Sequence, residues 1–260
     1  MIIMQDETMI GIVGGVGPYA GVDLMEKILD QTEARSDQEH LSIALISLPG
    51  RIEERTAFLL GETDNNPAEV VFEIVVKLEQ IGAGIVGIPC NTMHSPRIFD
   101  LLLKKMKDTK SNVKLIHMIN EVAEFIQTNH PRIKNIGLLC TTGTYKTRVY
   151  SDCLEPRGFN VIVPDEASQE NLVQNAVFDR TYGIKAQSNP VTKDAKAKLL
   201  QAIHYLEQQG AEAIILGCTE IPLAITDKKI GSAVIIDPTL ILARALIRRI
   251  NPDKLKPLEK

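Results

Sequence analysis

Apolar residues return along this chain in two rhythms. Short unbroken runs at residues 9–13, 41–48, 85–89, 113–117 and 136–140 have the length of strands buried on both faces of a parallel sheet. Between them, apolar positions recur every three or four residues: Val22, Met25, Ile28 and Leu29, then Val70, Val71, Ile74, Val75 and Leu78, then Val122, Phe125 and Ile126. That spacing predicts helices. The same reading places strands at 159–163, 212–217 and 234–236, and helices after Ser95-Pro96, at 145–155, near 168–180, at 192–209 and at 240–250. Alternating strands and helices imply an α/β protein with mostly parallel sheets and helices on their faces.

One stretch occurs twice. Gly82-Ala83 opens an apolar run that ends in Pro89-Cys90-Asn91-Thr92, and Gly210-Ala211 opens one that ends in Gly217-Cys218-Thr219-Glu220. A second echo joins Ile10-Gly11-Ile12-Val13, which runs into the turn Gly14-Gly15-Val16-Gly17-Pro18, to Ile136-Gly137-Leu138-Leu139, which runs into Cys140-Thr141-Thr142-Gly143-Thr144. Gly11 to Cys90 spans 79 residues and Gly137 to Cys218 spans 81. Two elements repeated at nearly one interval predict two pseudo-symmetric α/β domains. We expect residues 1–115 with 227–260 to form the first, carrying Cys90, and 116–226 the second, carrying Cys218. Ligands of such sheets bind beyond the carboxyl ends of the strands, so a cleft between the halves is the expected active site.

Composition narrows the class of partner. Apolar residues make up 44% of the 260, with no Trp, so the cores are aliphatic. A net charge of −4 with both signs interspersed gives no basic face for nucleic acid or an anionic membrane. No apolar run approaches the roughly 18 residues of a membrane span. Residues 1–7 lack the basic-then-apolar order of a secretory leader. Four Cys without dense spacing read as free thiols of a reducing cytoplasm rather than a disulfide framework.

Each repeated Cys should sit where a strand ends and a helix begins. Unpaired N–H groups there can lower a thiol pKa and bind a carboxylate. Two such thiols on opposite sides of one carbon can act as base and acid, one removing a proton and the other returning one to the other face. The outcome is inversion of a stereocentre. A single Cys at a strand end is more often a small buried hydrophobe, and Cys140 and Cys153 are read that way. The matched frames of Cys90 and Cys218 favour chemistry. His94 reads as a support for the site rather than a metal ligand, since Cys90 has no Cys-x-x-Cys partner.

Pro89-Cys90-Asn91-Thr92-Met93-His94 and Gly217-Cys218-Thr219-Glu220 resemble the aspartate/glutamate racemase superfamily, most closely its aspartate racemase branch. The Gly14–Pro18 turn, Asp37-Gln38-Glu39-His40, Glu54-Arg55-Thr56 and Thr141-Thr142-Gly143-Thr144 carry the same resemblance, which covers nearly the whole chain. It implies a cofactor-independent enzyme, without metal or pyridoxal phosphate, that is a cytoplasmic homodimer acting on a small acidic amino acid. Cys90 and Cys218 match the catalytic thiols. Asn91, Thr92, Thr141 and Thr219 match positions that hold the α-carboxylate and α-amino groups. Arg55 and Lys185 match basic residues associated with the side-chain carboxylate. Glu220 stands where glutamate racemases carry His, and Val16 stands in the glycine turn where Met is common.

From spacing alone, Arg51 or Arg180 would serve as well as Arg55 or Lys185. Gly15-Val16-Gly17-Pro18-Tyr19-Ala20 also fits a loose dinucleotide pattern, but the next strand ends in Ser47-Leu48-Pro49 without the acidic residue that binds a ribose. A related isomerase or decarboxylase of a small diacid, and a non-catalytic amino-acid-binding protein, are the other readings. The sequence leaves open aspartate, glutamate or a broader range as substrate.

Overall fold

The computed structural model describes residues 8–258. Residues 1–7, on which the reading about a leader rests, and the last two residues of the charged tail lie outside the described residues.

The first half contains β1 (Met9–Gly14), α1 (Pro18–Gln31), β2 (Ile43–Ser47), α2 (Arg55–Leu60), α3 (Ala68–Gln80), β3 (Ala83–Gly87), α4 (Pro96–Asp108) and β4 (Lys114–Leu115). After α5 (Met118–Asn129) the second half runs through β5 (Asn135–Cys140), α6 (Thr142–Lys146), α7 (Val149–Leu154), β6 (Asn160–Ile162), α8 (Glu166–Ser168), α9 (Asn175–Phe178), α10 (Lys193–Gln208), β7 (Ala213–Gly217), β8 (Lys229–Ile230) and β9 (Ala233–Ile236). Helix α11 (Pro238–Ile250) closes the chain.

The sheets have the orders β2-β1-β3-β4 and β6-β5-β7-β9-β8. All neighbours are parallel except β8 with β9. The first four strands of each order correspond one to one, and so does their register. Gly11 pairs with Val86, four residues before Cys90, and Gly137 pairs with Ile214, four before Cys218. Even the entry into the cysteine strands matches: Gly82 and Gly210 have φ of 100° and 92°, a left-handed conformation that suits glycine at the end of a helix. The predicted fold, two mostly parallel sheets flanked by helices, is therefore the observed one.

Strand alternation divides the side chains between cores. Ile10 and Ile12 of β1, Ile136 and Leu138 of β5, and Ile215 of β7 join one cluster with α1, α5, α7 and α11, shared by both sheets. Val13 and Val86 pack outward under α3 and α4, and Leu139, Ile214 and Leu216 under α10. Burial on both faces explains why the strands read as unbroken apolar runs.

Four local readings change. The helix expected at 145–155 is two short ones, because Arg148 takes φ 52° between them. The segment near 168–180 combines α8, a π-helical turn at Gln169–Gln174 and α9. Helix α2, read as part of a polar loop and a short segment, forms because the Glu54 side chain accepts the Ala57 N–H at its start. Finally, residues 227–260 were expected to return together to the first half. Instead β8 and β9 belong to the second sheet, where Ala233 and Ile236 are buried and β9 covers the edge of β7; an uncovered edge would leave a row of unpaired backbone groups. The part that does return to the first half is α11, which packs on α1, and the segment after it, where the Lys256 N–H donates to the Gln31 carbonyl at 3.0 Å. The motif Asp37-Gln38-Glu39-His40 forms a short surface turn apart from the site described next.

Candidate active site

In each sheet the chain steps from the central strand to one neighbour and then back past it to the other, so β1/β3 and β5/β7 are topological switch points, where open α/β sheets hold ligands. One pocket lies where the carboxyl ends of both meet. Val16 reaches it from the turn after β1, Cys90, Asn91 and Thr92 from the segment after β3, Thr141 and Thr144 from the turn after β5, and Cys218, Thr219 and Glu220 from the segment after β7. Arg55 enters from the start of α2, and Lys185 from the loop after α9. All ten residues singled out from the sequence line this pocket. Its interior has about 20 Å³ of water-accessible space, room for on the order of one water molecule.

The structure separates cations that spacing could not. Arg51 is at the surface, paired with Glu73 at 2.7 Å, and Arg180 is exposed. Arg55 donates from Nη2 to the Val16 carbonyl at 2.7 Å, while its Nε is buried without a hydrogen-bond partner. A guanidinium has five N–H donors, so unused donors remain for an anion. Lys185 is held differently: its Nζ lies 2.5 Å from Glu220 Oε1 and 5.3 Å from the centre of the Phe178 ring.

The Cys90 thiol contacts a neutral hydroxyl, Thr92 Oγ1, at 3.4 Å. The adjacent Asn91 is oriented by the Tyr150 hydroxyl, which donates to its Oδ1 at 2.6 Å. Its Nδ2 is buried and unpaired, as is Thr144 Oγ1. Beneath them the His94 ring packs against Phe99 and His117, with Nε2 3.2 Å from the Ile88 carbonyl. Burial, reinforced by His117, pulls the His94 pKa down to about 3, so the ring is neutral.

Around Cys218 the setting is charged. Its thiol donates to Glu220 Oε2 at 2.9 Å. Burial, followed by the negative charge of Glu220, pushes this thiol well above its ordinary range. Burial acts upward on Glu220 too, but the attraction of Lys185 and the hydrogen bonds from Cys218 and Lys185 hold its carboxyl below the usual value. Lys185 is correspondingly raised: burial is outweighed by Glu220. Here an expectation fails. Each Cys is followed not by an α-helix but by a single 3-10 turn, Asn91–His94 or Ile221–Leu223. One turn gives little macrodipole, and at Cys218 burial and Glu220 raise the pKa rather than lower it.

The halves also interlock. Thr219 Oγ1 donates to the Pro89 carbonyl at 3.2 Å, as Tyr150 donates to Asn91. The residue after each Cys is thus bonded to the opposite half. Glu54, Thr56, Thr144, Phe178 and Gly217 also line the pocket and were not chosen as site residues from the sequence. Thr56 and Thr144 stood inside the quoted motifs beside chosen residues; Phe178 gave no signal in a helical pattern. Among the described residues no group of three or more His, Cys, Asp or Glu is placed to hold a metal ion. No helix among them is long and apolar enough to cross a membrane. Cys140 is fully buried and its thiol is pushed up by burial, as suits a core residue.

The Asp/Glu/Hydantoin racemase family matches residues 13–246, so the chain belongs to that family. It is 26% identical over 245 residues to the broad specificity amino-acid racemase RacX of Bacillus subtilis (strain 168), covering 92% of this chain and 96% of that protein. Among solved structures it is similar to the Picrophilus torridus aspartate racemase (26% identity, TM-score 0.78, covering 97% of this chain and 96% of that one). It is also similar to an aspartate racemase homologue from Pyrococcus horikoshii OT3 (25% identity, TM-score 0.70, covering 94% and 99%).

Proposed function

We propose that the protein racemises an acidic amino acid, aspartate foremost, with Cys90 and Cys218 as the two proton-transfer groups in the cleft between the halves. The observation that carries this reading is that the two thiols, at equivalent positions of the repeat, line one pocket. A thiolate removes the α-proton, forming its S–H bond as the Cα–H electron pair moves into the α-carboxylate. The other thiol then gives its proton to the opposite face of Cα. One S–H bond forms and one breaks, and exchange with solvent restores the starting state.

Cys218, with its pKa raised, rests as the thiol and is poised as the acid. The same raised pKa makes its thiolate a stronger base toward the very weakly acidic Cα–H in the reverse direction, and Lys185 offsets the charge that builds there. Glu220 acts here through Cys218 and Lys185 rather than on the substrate. Asn91 Nδ2, Thr144 Oγ1 and the unused donors of Arg55 supply hydrogen bonds for carboxylates, with Thr92, Thr141, Thr219 and the Val16 backbone completing the wall. The small interior implies that the halves part to admit substrate and close over it, which excludes water. The homodimer and the cytoplasmic location are part of the same proposal, and sedimentation tests the former.

The test is incubation of the purified protein with L-aspartate in deuterated water. We expect deuterium at Cα together with loss of optical activity. No exchange with aspartate, glutamate or neutral amino acids would overturn the reading. A broader substrate range is the second reading, favoured by the engagement of Lys185 with Glu220, which leaves Arg55 as the less committed cation. Arg55→Ala should erase the preference for aspartate over alanine; an unchanged preference removes Arg55 from that role.

A further inference from the structure

Two glycines occupy the same place in the repeat. Gly17 lies six residues after Gly11, and Gly143 six after Gly137. Neither has a positive φ among the described residues. Gly17 has φ −143° and ψ 112°, extended backbone open to any residue, and Gly143 lies in α6, where alanine is the better helix former. Conformation therefore does not call for glycine at either site. Space does. A Cβ on Gly17 would collide with Glu220 Oε1. A Cβ on Gly143 would stand 2.6 Å from Thr56 Oγ1 and 3.1 Å from Thr92 Cγ2. Glu220 follows Cys218 by two residues, and Thr92 follows Cys90 by two.

We propose that Gly17 and Gly143 are reciprocal positioning residues: each half's turn omits a side chain so that the residue two places beyond the other half's cysteine can stand beside its thiol. Glu220 is only 5% exposed, and its two oxygens are taken by Lys185 and Cys218. It cannot yield to a methyl group at Gly17 without leaving one of them. A methyl at Gly143 would press first on Thr56 and then on the Thr92 methyl, which would have to give by a few tenths of an ångström beside the Cys90 thiol. The catalytic consequence rests on the racemase reading above; the seating of the side chains does not.

The enantiomers of a free amino acid have an equilibrium constant of one, so kcat/KM must fall equally in both directions in any variant. Exchange of the α-proton without inversion separates the two thiols. In Gly17→Ala we expect kcat for aspartate racemisation to fall about 10²-fold with KM little changed. Deuterium exchange should persist for only one enantiomer, the one whose proton goes to Cys90. Gly143→Ala should tilt exchange toward the opposite enantiomer by a smaller factor, and it carries the test if Gly17→Ala does not fold. Adding Glu220→Asp to Gly17→Ala shortens the displaced side chain, so the combined loss should be less than the product of the single losses.

Multiplying losses, wild-type kcat in both glycine variants, or exchange retained with the same enantiomer in both would overturn the proposal. A crystal structure of Gly17→Ala gives a readout free of activity: Glu220 moved from Cys218 supports the seat, and Glu220 unmoved refutes it. Wild-type protein that exchanges no α-proton breaks the functional reading alone, and that crystal structure then decides the seating.

Discussion

The first half places beside Cys90 a neutral hydroxyl, Thr92, and below it a neutral buried imidazole, His94. The second half places at the equivalent positions the carboxylate of Glu220 and the ring of Pro222. The strands under the two thiols agree in order and register. The difference at the thiols lies in the segments that follow the strands, in the start of the 3-10 turn and in the side chains it carries. The frame fixes where a thiol stands, and its surroundings fix where its proton rests.

The largest effect should come from removing either thiol. Cys90→Ala and Cys218→Ala should each lower racemisation by about 10³-fold or more. Either variant racemising at the wild-type rate would dissolve the pairing. Next come the residues that make the halves unlike. Glu220→Gln should lower kcat by about 10²-fold, whereas Thr92→Val should cost about tenfold or less, since it removes one neutral contact. Loss of the Glu220 charge also relieves the upward push on Cys218 and leaves Lys185 unpaired beside it. Alkylation of Cys218 by iodoacetamide should therefore reach its half-maximal rate at lower pH, even as racemisation slows. If both rates fall together at every pH, the charge on Glu220 does not govern that thiol.

A smaller effect belongs to the first half alone. The folded His94 pKa of about 3 lies below its ordinary 6.5, so its contribution is complete above pH 6.5 and is lost as pH falls toward 3. Between pH 7 and 5 the unfolded chain gains a proton that the folded chain refuses, costing about 2 kcal/mol. Denaturant titrations should show that loss in the wild type and a correspondingly smaller one in His94→Gln; equal acid sensitivity would contradict the buried neutral ring. Of similar size or smaller are the bonds that join the halves. Tyr150→Phe should destabilise by about 2 kcal/mol by leaving Asn91 Oδ1 buried and unpaired, and Thr219→Val by about 1 kcal/mol. A wild-type midpoint for both would show that neither bond holds the cleft.

Much of this was legible because the signals were local and doubled. The apolar runs predicted the strands, Gly82 and Gly210 marked their entrances, and the nearly equal intervals predicted two like sheets. The family motifs located Arg55 and Lys185, which spacing alone did not distinguish from Arg51 and Arg180. What stayed hidden depends on contacts between residues far apart in sequence. That Glu220 bonds Lys185, that Tyr150 orients Asn91, and that β9 completes the second sheet all follow from packing of distant segments. The thiol environment is a different case: Glu220 stands only two residues after Cys218, but a rule about helix starts does not say that its carboxylate turns back onto the thiol. Arg148 broke a helical pattern through a single left-handed residue, which periodicity does not register.

The equivalent segments after β3 and β7 meet in one pocket, as a patch meets its own copy across the two-fold axis of an isologous dimer. Two identical subunits meeting that way would have to present the same side chain to both thiols, a hydroxyl twice or a carboxylate twice. Joining the copies in one polypeptide removes that obligation. Thr92 and Glu220 can differ because the axis that relates them is only approximate, and substitutions on either side can be made without being imposed on the other.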